Sequence, residues 1–175
     1  MRKTLLAGAM LALGVAAPAL AGATANPNSP AQQCRAERTA MGEANFKALY
    51  GTNANKSNAF GKCVAKQARA RENNTQNAAQ RCRVERDDAN FAATHGGKTF
   101  AQFYGTNRNG RNAFGKCVSA KSGQATATQQ QTRLTAARTC RTEQRADPAA
   151  FRQSHGTTAN RSNAFGRCVS THARA

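Results

Sequence analysis

Six residues, NAFGKC, stand at positions 58–63 and again at 112–117, and return as NAFGRC at 163–168. A chain written this way is most economically folded as a repeat array, because each copy specifies one supersecondary unit. The copies extend upstream without a gap, as GTNANKSNAFGKCV from Gly51, GTNRNGRNAFGKCV from Gly105 and GTTANRSNAFGRCV from Gly156. A second shared piece precedes each: CRAER from Cys34, CRVER from Cys82 and CRTEQ from Cys140. Between the two pieces lies a small motif of Phe, three residues, Tyr or His, then Gly. It reads FKALYG from Phe46, FAQFYG from Phe100 and FRQSHG from Phe151, and the second unit holds an additional FAATHG from Phe91.

Every unit thus carries one cysteine near its start and one near its end, which selects Cys34–Cys63, Cys82–Cys117 and Cys140–Cys168 from the available pairings. Units of this size lie close to the limit below which an apolar core alone suffices. Closing each loop should contribute on the order of 3–4 kcal/mol by the loop-entropy account. A zinc set of Cys140, His155, Cys168 and His172 is chemically conceivable in the third unit. The first two units hold Tyr50 and Gln67, and Tyr104 and Lys121, at the histidine positions. The cysteines are therefore assigned to disulfides, and no metal or cofactor is expected.

The local signals are helical. Asp147 can cap a helix opened by Pro148, with Phe151 and His155 on one face and Gly156 at its end. Phe60, Cys63 and Val64 fall on one helical face after a Ser57-Asn58 cap. No alternating apolar run supports a strand, so the expected class is all-α: three small disulfide-stapled helical repeats joined by polar linkers. Residues 31–66, 80–121 and 138–172 form the repeats. Residues 67–79 and 122–137 are read as flexible joints or solvated helix, since they offer almost no apolar anchor beyond Leu134. One helix could continue through each joint into the next unit, but Asn73, Asn74 and Gly123 argue for breaks, and beads on semi-flexible joints are favoured over a packed array. The glycine of NAFGKC points about 200° away from the cysteine two residues later. Its threefold presence suggests that another backbone presses on that far face, or that residues 58–61 are a turn and the helix begins at Lys62.

The amino terminus has Arg2 and Lys3, an apolar run to Leu20 and small residues at Ala19 and Ala21, which reads as a signal peptide over 1–21, with Ala25 as a second cleavage position. Residues 22–30 then form a mature N-terminal linker. An even cysteine number fits an oxidising, extracellular or cell-envelope destination. Without the leader, 24 basic side chains oppose 8 acidic ones, a net charge near +16. The mature chain contains no segment apolar enough to span a bilayer.

Such a charge attracts anionic polymers: wall polysaccharide, lipid head groups or extracellular nucleic acid. The positions offered for ligand contact are the Asn-rich loop and the basic residue beside each closing cysteine: Asn55, Asn58 and Lys62; Asn109, Asn112 and Lys116; Asn160, Asn163 and Arg167. Asparagines also favour turns and caps, and three weak copies would act through avidity. Glu37, Glu85 and Glu143 each follow the first cysteine by three residues and are read as ion-pair or capping groups. His95 and His155 are read as packing residues. No nucleophile, paired carboxylate or phosphate-cradling loop recurs, so no enzyme is expected. The leading expectation is non-enzymatic binding of an anionic polymer by charge and multivalency. A cationic membrane-active protein of antimicrobial or toxin type and a non-specific extracellular nucleic-acid binder are the alternatives.

The run from CRTEQRADPAAF to NAFGRCV resembles short Cys-containing repeats of uncharacterised secreted proteins from high-GC Gram-positive bacteria. The resemblance covers the three units and implies export without implying an activity. The doubled Phe motif and the missing Asp-Pro of the first two units depart from it.

Overall fold

A computed structural model describes residues 29–174; the expected leader, both cleavage positions and nearly all of the N-terminal linker lie outside the described residues. Among the described residues eight helices run in the order α1 (Pro30–Met41), α2 (Glu43–Tyr50), α3 (Ala59–Asp87), α4 (Phe91–Thr94), α5 (Phe100–Tyr104), α6 (Ala113–Ala146), α7 (Pro148–His155) and α8 (Ala164–His172). There is no strand among the described residues, and the chain is all-α. Disulfides join Cys34 to Cys63, Cys82 to Cys117 and Cys140 to Cys168.

The local start signals act as their chemistry dictates. The Ser29 hydroxyl accepts from the Gln32 amide ahead of Pro30. Asp147 accepts from the amides of Ala149 and Ala150 and opens α7 with Pro148 in its first turn. Thr99 and Gln102 form a reciprocal capping box on α5, which satisfies amides that the helix itself cannot.

The polar joints are helical. Residues 67–79 lie inside α3 and residues 122–137 inside α6, so each long helix begins in one unit and ends in the next. The two helices, about 44 and 51 Å long at 1.5 Å per residue, run antiparallel. Their alignment is fixed by the Cys82–Cys117 bridge and by the Asn74 amide, which donates to Thr126 Oγ1 at 3.2 Å and to Gln129 Oε1 at 3.4 Å. Small side chains explain why so polar a seam closes. Ala78, Thr126, Ala136 and Ala137 are buried, and short side chains let two helix backbones approach without needing a large apolar surface. Alanine, glutamine and arginine favour helix, while Asn73, Asn74 and Gly123 cost only about 0.5–1 kcal/mol each.

The expectation of beads on joints fails for a second reason. The first and third units share one core in which Cys34, Met41, Phe46 and Tyr50 pack with Ala136, Ala137, Cys140, Phe151, Phe165 and Val169. The second unit keeps a separate core of Cys82, Phe91, Phe100, Ala113 and Cys117 at the far end of the α3–α6 hairpin. Leu134, the one large apolar residue of the joints, packs against the shared core.

Both readings of the NAFGKC glycine are also overturned. The last helices begin at Ala59, Ala113 and Ala164, ahead of the glycine. A Cβ at Gly61 or Gly115 would meet nothing within 4 Å, whereas one at Gly166 would stand 2.9 Å from Leu49 Cδ1 of the first unit. Only the third copy receives a neighbour, and it is a side chain rather than backbone. The glycine that does need its bareness is the earlier one. At Gly105 a Cβ would lie 2.3 Å from the Ala101 carbonyl oxygen, and at Gly51 and Gly156 it would meet Lys56 and Arg161 at 2.7 and 2.5 Å.

Candidate functional site

Three positions in each unit converge beside its disulfide: the glutamate three residues after the first cysteine, the aromatic ending the Phe motif, and the residue four after the second cysteine. Helix spacing brings them together, since residues three or four apart share a face. In the first unit the glutamate is Glu37, fully buried. Tyr50 and the Gln67 amide donate to its two oxygens. Arg133 of α6 donates as a fork, at 2.9 Å to Oε1 and 3.2 Å to Oε2, and also reaches the Tyr50 hydroxyl. Burial, and secondarily the Glu37 charge, push the Tyr50 phenol well above its usual range, with Arg133 opposing them.

In the second unit Tyr104 donates to Glu85 at 2.9 Å and Lys121 pairs with it at 2.7 Å. Burial favours protonation of Glu85, but hydrogen bonds from Lys121 and Tyr104 outweigh it and hold the carboxyl below the ordinary range. In the third unit His155 Nε2 lies 3.2 Å from Glu143 Oε2 and His172 Nε2 lies 3.3 Å from Oε1. The extra FAATHG motif is the insertion. Its His95 stacks on Phe91 with ring centroids 3.8 Å apart, while Tyr104 takes the position at the glutamate.

The Asn-rich loops are occupied by their own backbone. Asn58 accepts from the Thr52 amide at 3.0 Å and donates to its hydroxyl at 2.8 Å; Asn112 does the same with Thr106 and Asn163 with Thr157. Asn55, Asn109 and Asn160 accept from the amides two residues on, at Ser57, Arg111 and Ser162. None of the three helix-starting asparagines caps its helix through its side chain. All six are therefore turn-makers here, their side-chain oxygens committed within the loop. These turns reverse the chain through positive φ at Lys56, Gly110 and Arg161. Lys56 Nζ then donates to the Gly51 carbonyl at 3.0 Å, and Arg161 to the Gln153 carbonyl at 2.7 Å.

The basic residues beside the closing cysteines, Lys62, Lys116 and Arg167, are exposed. Lys62 belongs to a longer cationic face. With Lys66, Arg69 and Asn73 it follows one ridge of α3, bordering an open groove of about 460 Å³ floored by Ala65 and Ala70. The Lys66 ammonium stands 5.7 Å from the Tyr50 ring centroid. Partial burial, and secondarily the positive charge of Arg133, lower its affinity for its proton, with Glu37 opposing them.

Positions 62, 66, 69 and 73 share one side of a helix, so the ridge has a signal in the sequence; its crowding by Arg133 and Tyr50, which arrive from α6 and α2, has none. The zinc set weighed from the sequence does not form, since Cys140 and Cys168 are bridged. Comparison of the chain with family models, with curated proteins and with solved structures finds no match.

Proposed function

We propose that this protein is a secreted, non-enzymatic basic protein that binds an anionic envelope or extracellular polymer by charge and multivalency. The observation that carries the reading is how unevenly the charges are used. Ion pairs engage Arg38, Lys47, Arg86, Lys121 and Arg133; the remaining Lys and Arg side chains among the described residues have no carboxylate at salt-bridge distance. Four of the eight acids are meanwhile taken up by the disulfide-side networks, at Glu37, Glu85 and Glu143, and by the α7 cap, at Asp147. The outward field is therefore positive, which favours polyanions without selecting a sequence. The three disulfides suit an oxidising compartment. Among the described residues no helix is long and apolar enough to cross a membrane.

On this reading the α3 ridge is the preferred seat for an acidic strand. An anion placed there relieves the crowding of Lys66 by Arg133. The test is titration of the full chain with a polyphosphate-backbone wall polymer at rising salt. Affinity should fall steeply with salt concentration. A variant carrying Lys62→Glu, Lys66→Glu and Arg69→Glu should bind several-fold more weakly than one with three reversals at Arg138, Arg145 and Arg152. Equal loss in the two variants would reduce the reading to net charge alone, and salt-insensitive binding would sink it.

One observation favours nucleic acid as the polymer. Phe103 is 46 % exposed, with its ring held edge-on by His95 and Tyr104. An open aromatic ring held by its neighbours on a cationic protein can stack a base. Phe103→Ala should then weaken single-stranded DNA binding and leave the wall polymer unaffected.

A further inference from the structure

The first and third units meet through a knob and a groove. The knob is Leu49, third after the Phe of FKALYG on α2. The groove is the NAFGRC face of α8, where Leu49 Cδ1 stands 2.9 Å from the place that a Cβ on Gly166 would take. The bare glycine admits this neighbour, and Phe165 and Val169 beside it are buried.

The second unit carries both halves of this contact, and among the described residues neither half meets another unit. Phe103 holds the Leu49 position in FAQFYG and is exposed. Gly115 holds the Gly166 position, with nothing within 4 Å of where its Cβ would stand, and Phe114 and Val118 beside it are only partly buried. The cause is placement, since this unit keeps its separate core at the far end of the hairpin. The third unit gives the contrast. Its knob position is also exposed, but it is Ser154, a hydroxyl that suits water. The second unit instead presents an aromatic ring larger than the leucine of the first. That ring is held in place by Phe91 and His95 of the additional FAATHG motif, with centroids 5.8 and 4.7 Å away.

We propose that the second unit pairs with the second unit of another copy of this chain, Phe103 of each seating over Gly115 of the other as Leu49 seats over Gly166 within the chain. A twofold pair uses such a contact twice and closes on itself. The rim of the groove fits an incoming ring. Four residues after the first cysteine, Gln144 of the third unit bonds Asn45 of the first across the existing contact. The matching residue of the second unit is Arg86, whose guanidinium lies 5.7 Å over the Phe114 ring and can serve a second aromatic face in the same way. The positive charge of the chain opposes the approach of two copies, so the pair strengthens as salt screens that repulsion.

The test is sedimentation velocity of the full, non-reduced chain over rising concentration, in about 0.5 M salt, where repulsion between exposed charges is largely screened. The sedimentation coefficient should climb towards that of a dimer, and the pair should weaken when salt is lowered. Polymer binding has the opposite salt dependence, so the result stands whether or not the polymer reading survives. Phe103→Ser puts the third unit's residue at the knob. Gly115→Glu fills the groove with a helix-favouring residue at a point where the single chain leaves open space. Both variants should fold, checked by circular dichroism, and each should weaken pairing by at least about tenfold. Gly61→Glu, the same change in the first unit, should leave pairing intact. A wild-type chain that stays monomeric up to millimolar concentration overturns the proposal, as does undiminished pairing in the folded Phe103 and Gly115 variants or an equal loss from Gly61→Glu. A monomeric wild type together with weaker single-stranded DNA binding by Phe103→Ser would assign the ring to bases and overturn the pairing equally.

Discussion

Removing the Arg133 guanidinium tests whether the first and third units are one body. Glu37 is fully buried, and Arg133 is its only cationic partner, reaching across from α6 with a side chain that is 18 % exposed. Arg133→Met keeps the stem and deletes the charge. The Glu37 carboxylate then retains only the neutral donors Tyr50 and Gln67. Breaking a buried pair by removing one partner costs about 3–5 kcal/mol, because the other charge stays desolvated. For a chain of this length each kcal/mol moves the melting temperature by about 2–4 °C, so the expected fall is roughly 6–20 °C.

The double variant Glu37→Gln with Arg133→Met removes the charge as well as its partner and should recover most of the loss, since apolar or neutral replacements of buried pairs are often close to neutral. Calorimetric melting with disulfides intact gives the magnitude. Native-state hydrogen exchange gives the place: amides of α1 and of the C-terminal half of α6 should lose protection in the single variant, while those beside Cys82 and Cys117 keep it. A single variant that melts within about 2 °C of wild type, or a double variant no better than the single, would refute the buried-pair account.

The glycines give a second test. Gly61→Ala and Gly115→Ala should each stabilise by about 0.5–1 kcal/mol, because helical glycine is costly and their new methyls meet no atom. Gly166→Ala should gain less or lose, its methyl pressing on Leu49, and an equal rise in melting temperature for all three would contradict that. Gly105→Ala should destabilise by about 1–3 kcal/mol, since the clash is with a backbone oxygen; an unchanged denaturation midpoint would count against it. In acid, Glu85 sets the sign. Its folded-state affinity for protons is depressed, so its contribution is present above the ordinary carboxylate range and is lost as pH falls through the lower folded value. Glu85→Gln should flatten the pH dependence of unfolding below about pH 4, and an unaltered slope would exclude Glu85 as its source.

The all-helical class and the pairing of cysteines were readable because both rest on short-range signals: Asp147-Pro148, the spacing of Phe60, Cys63 and Val64, and one cysteine at each end of a repeating segment. The continuity of α3 and α6 was not. Whether Asn73-Asn74 or Gly123 breaks a helix depends on what lies alongside, and the neighbour of Asn74 is Thr126, some fifty residues away. Ala78, Ala136 and Ala137 stand in segments with little apolar character, yet all three are buried, Ala136 and Ala137 in the core shared by the first and third units. The Asn-rich loops were legible as turns, and the side-chain oxygens of all six asparagines are taken up within them. Nothing in GTNANKSN tells which amide oxygens the backbone will consume, although the constant Thr and Asn six positions apart is the signal that could have done so.

A repeat invites the inference of three equal surfaces, and this fold makes them unequal. The same glutamate position is sealed inside the shared core at Glu37, paired with lysine at the hairpin tip at Glu85, and left to two histidines at Glu143. The same basic position joins a cationic ridge at Lys62, whereas at Arg167 it borders a groove shared with Ala48 and Leu49 of the first unit. Valency therefore cannot be measured by cutting the chain into units. A fragment ending at residue 66 would lose Gln67 and Arg133, and the buried Glu37 carboxylate would keep only Tyr50 from its set of donors. Its failure to bind would report unfolding rather than lost avidity. Charge reversal on the intact chain keeps the core and changes only the face, and it predicts that the loss follows the α3 ridge instead of falling evenly across Lys62, Lys116 and Arg167.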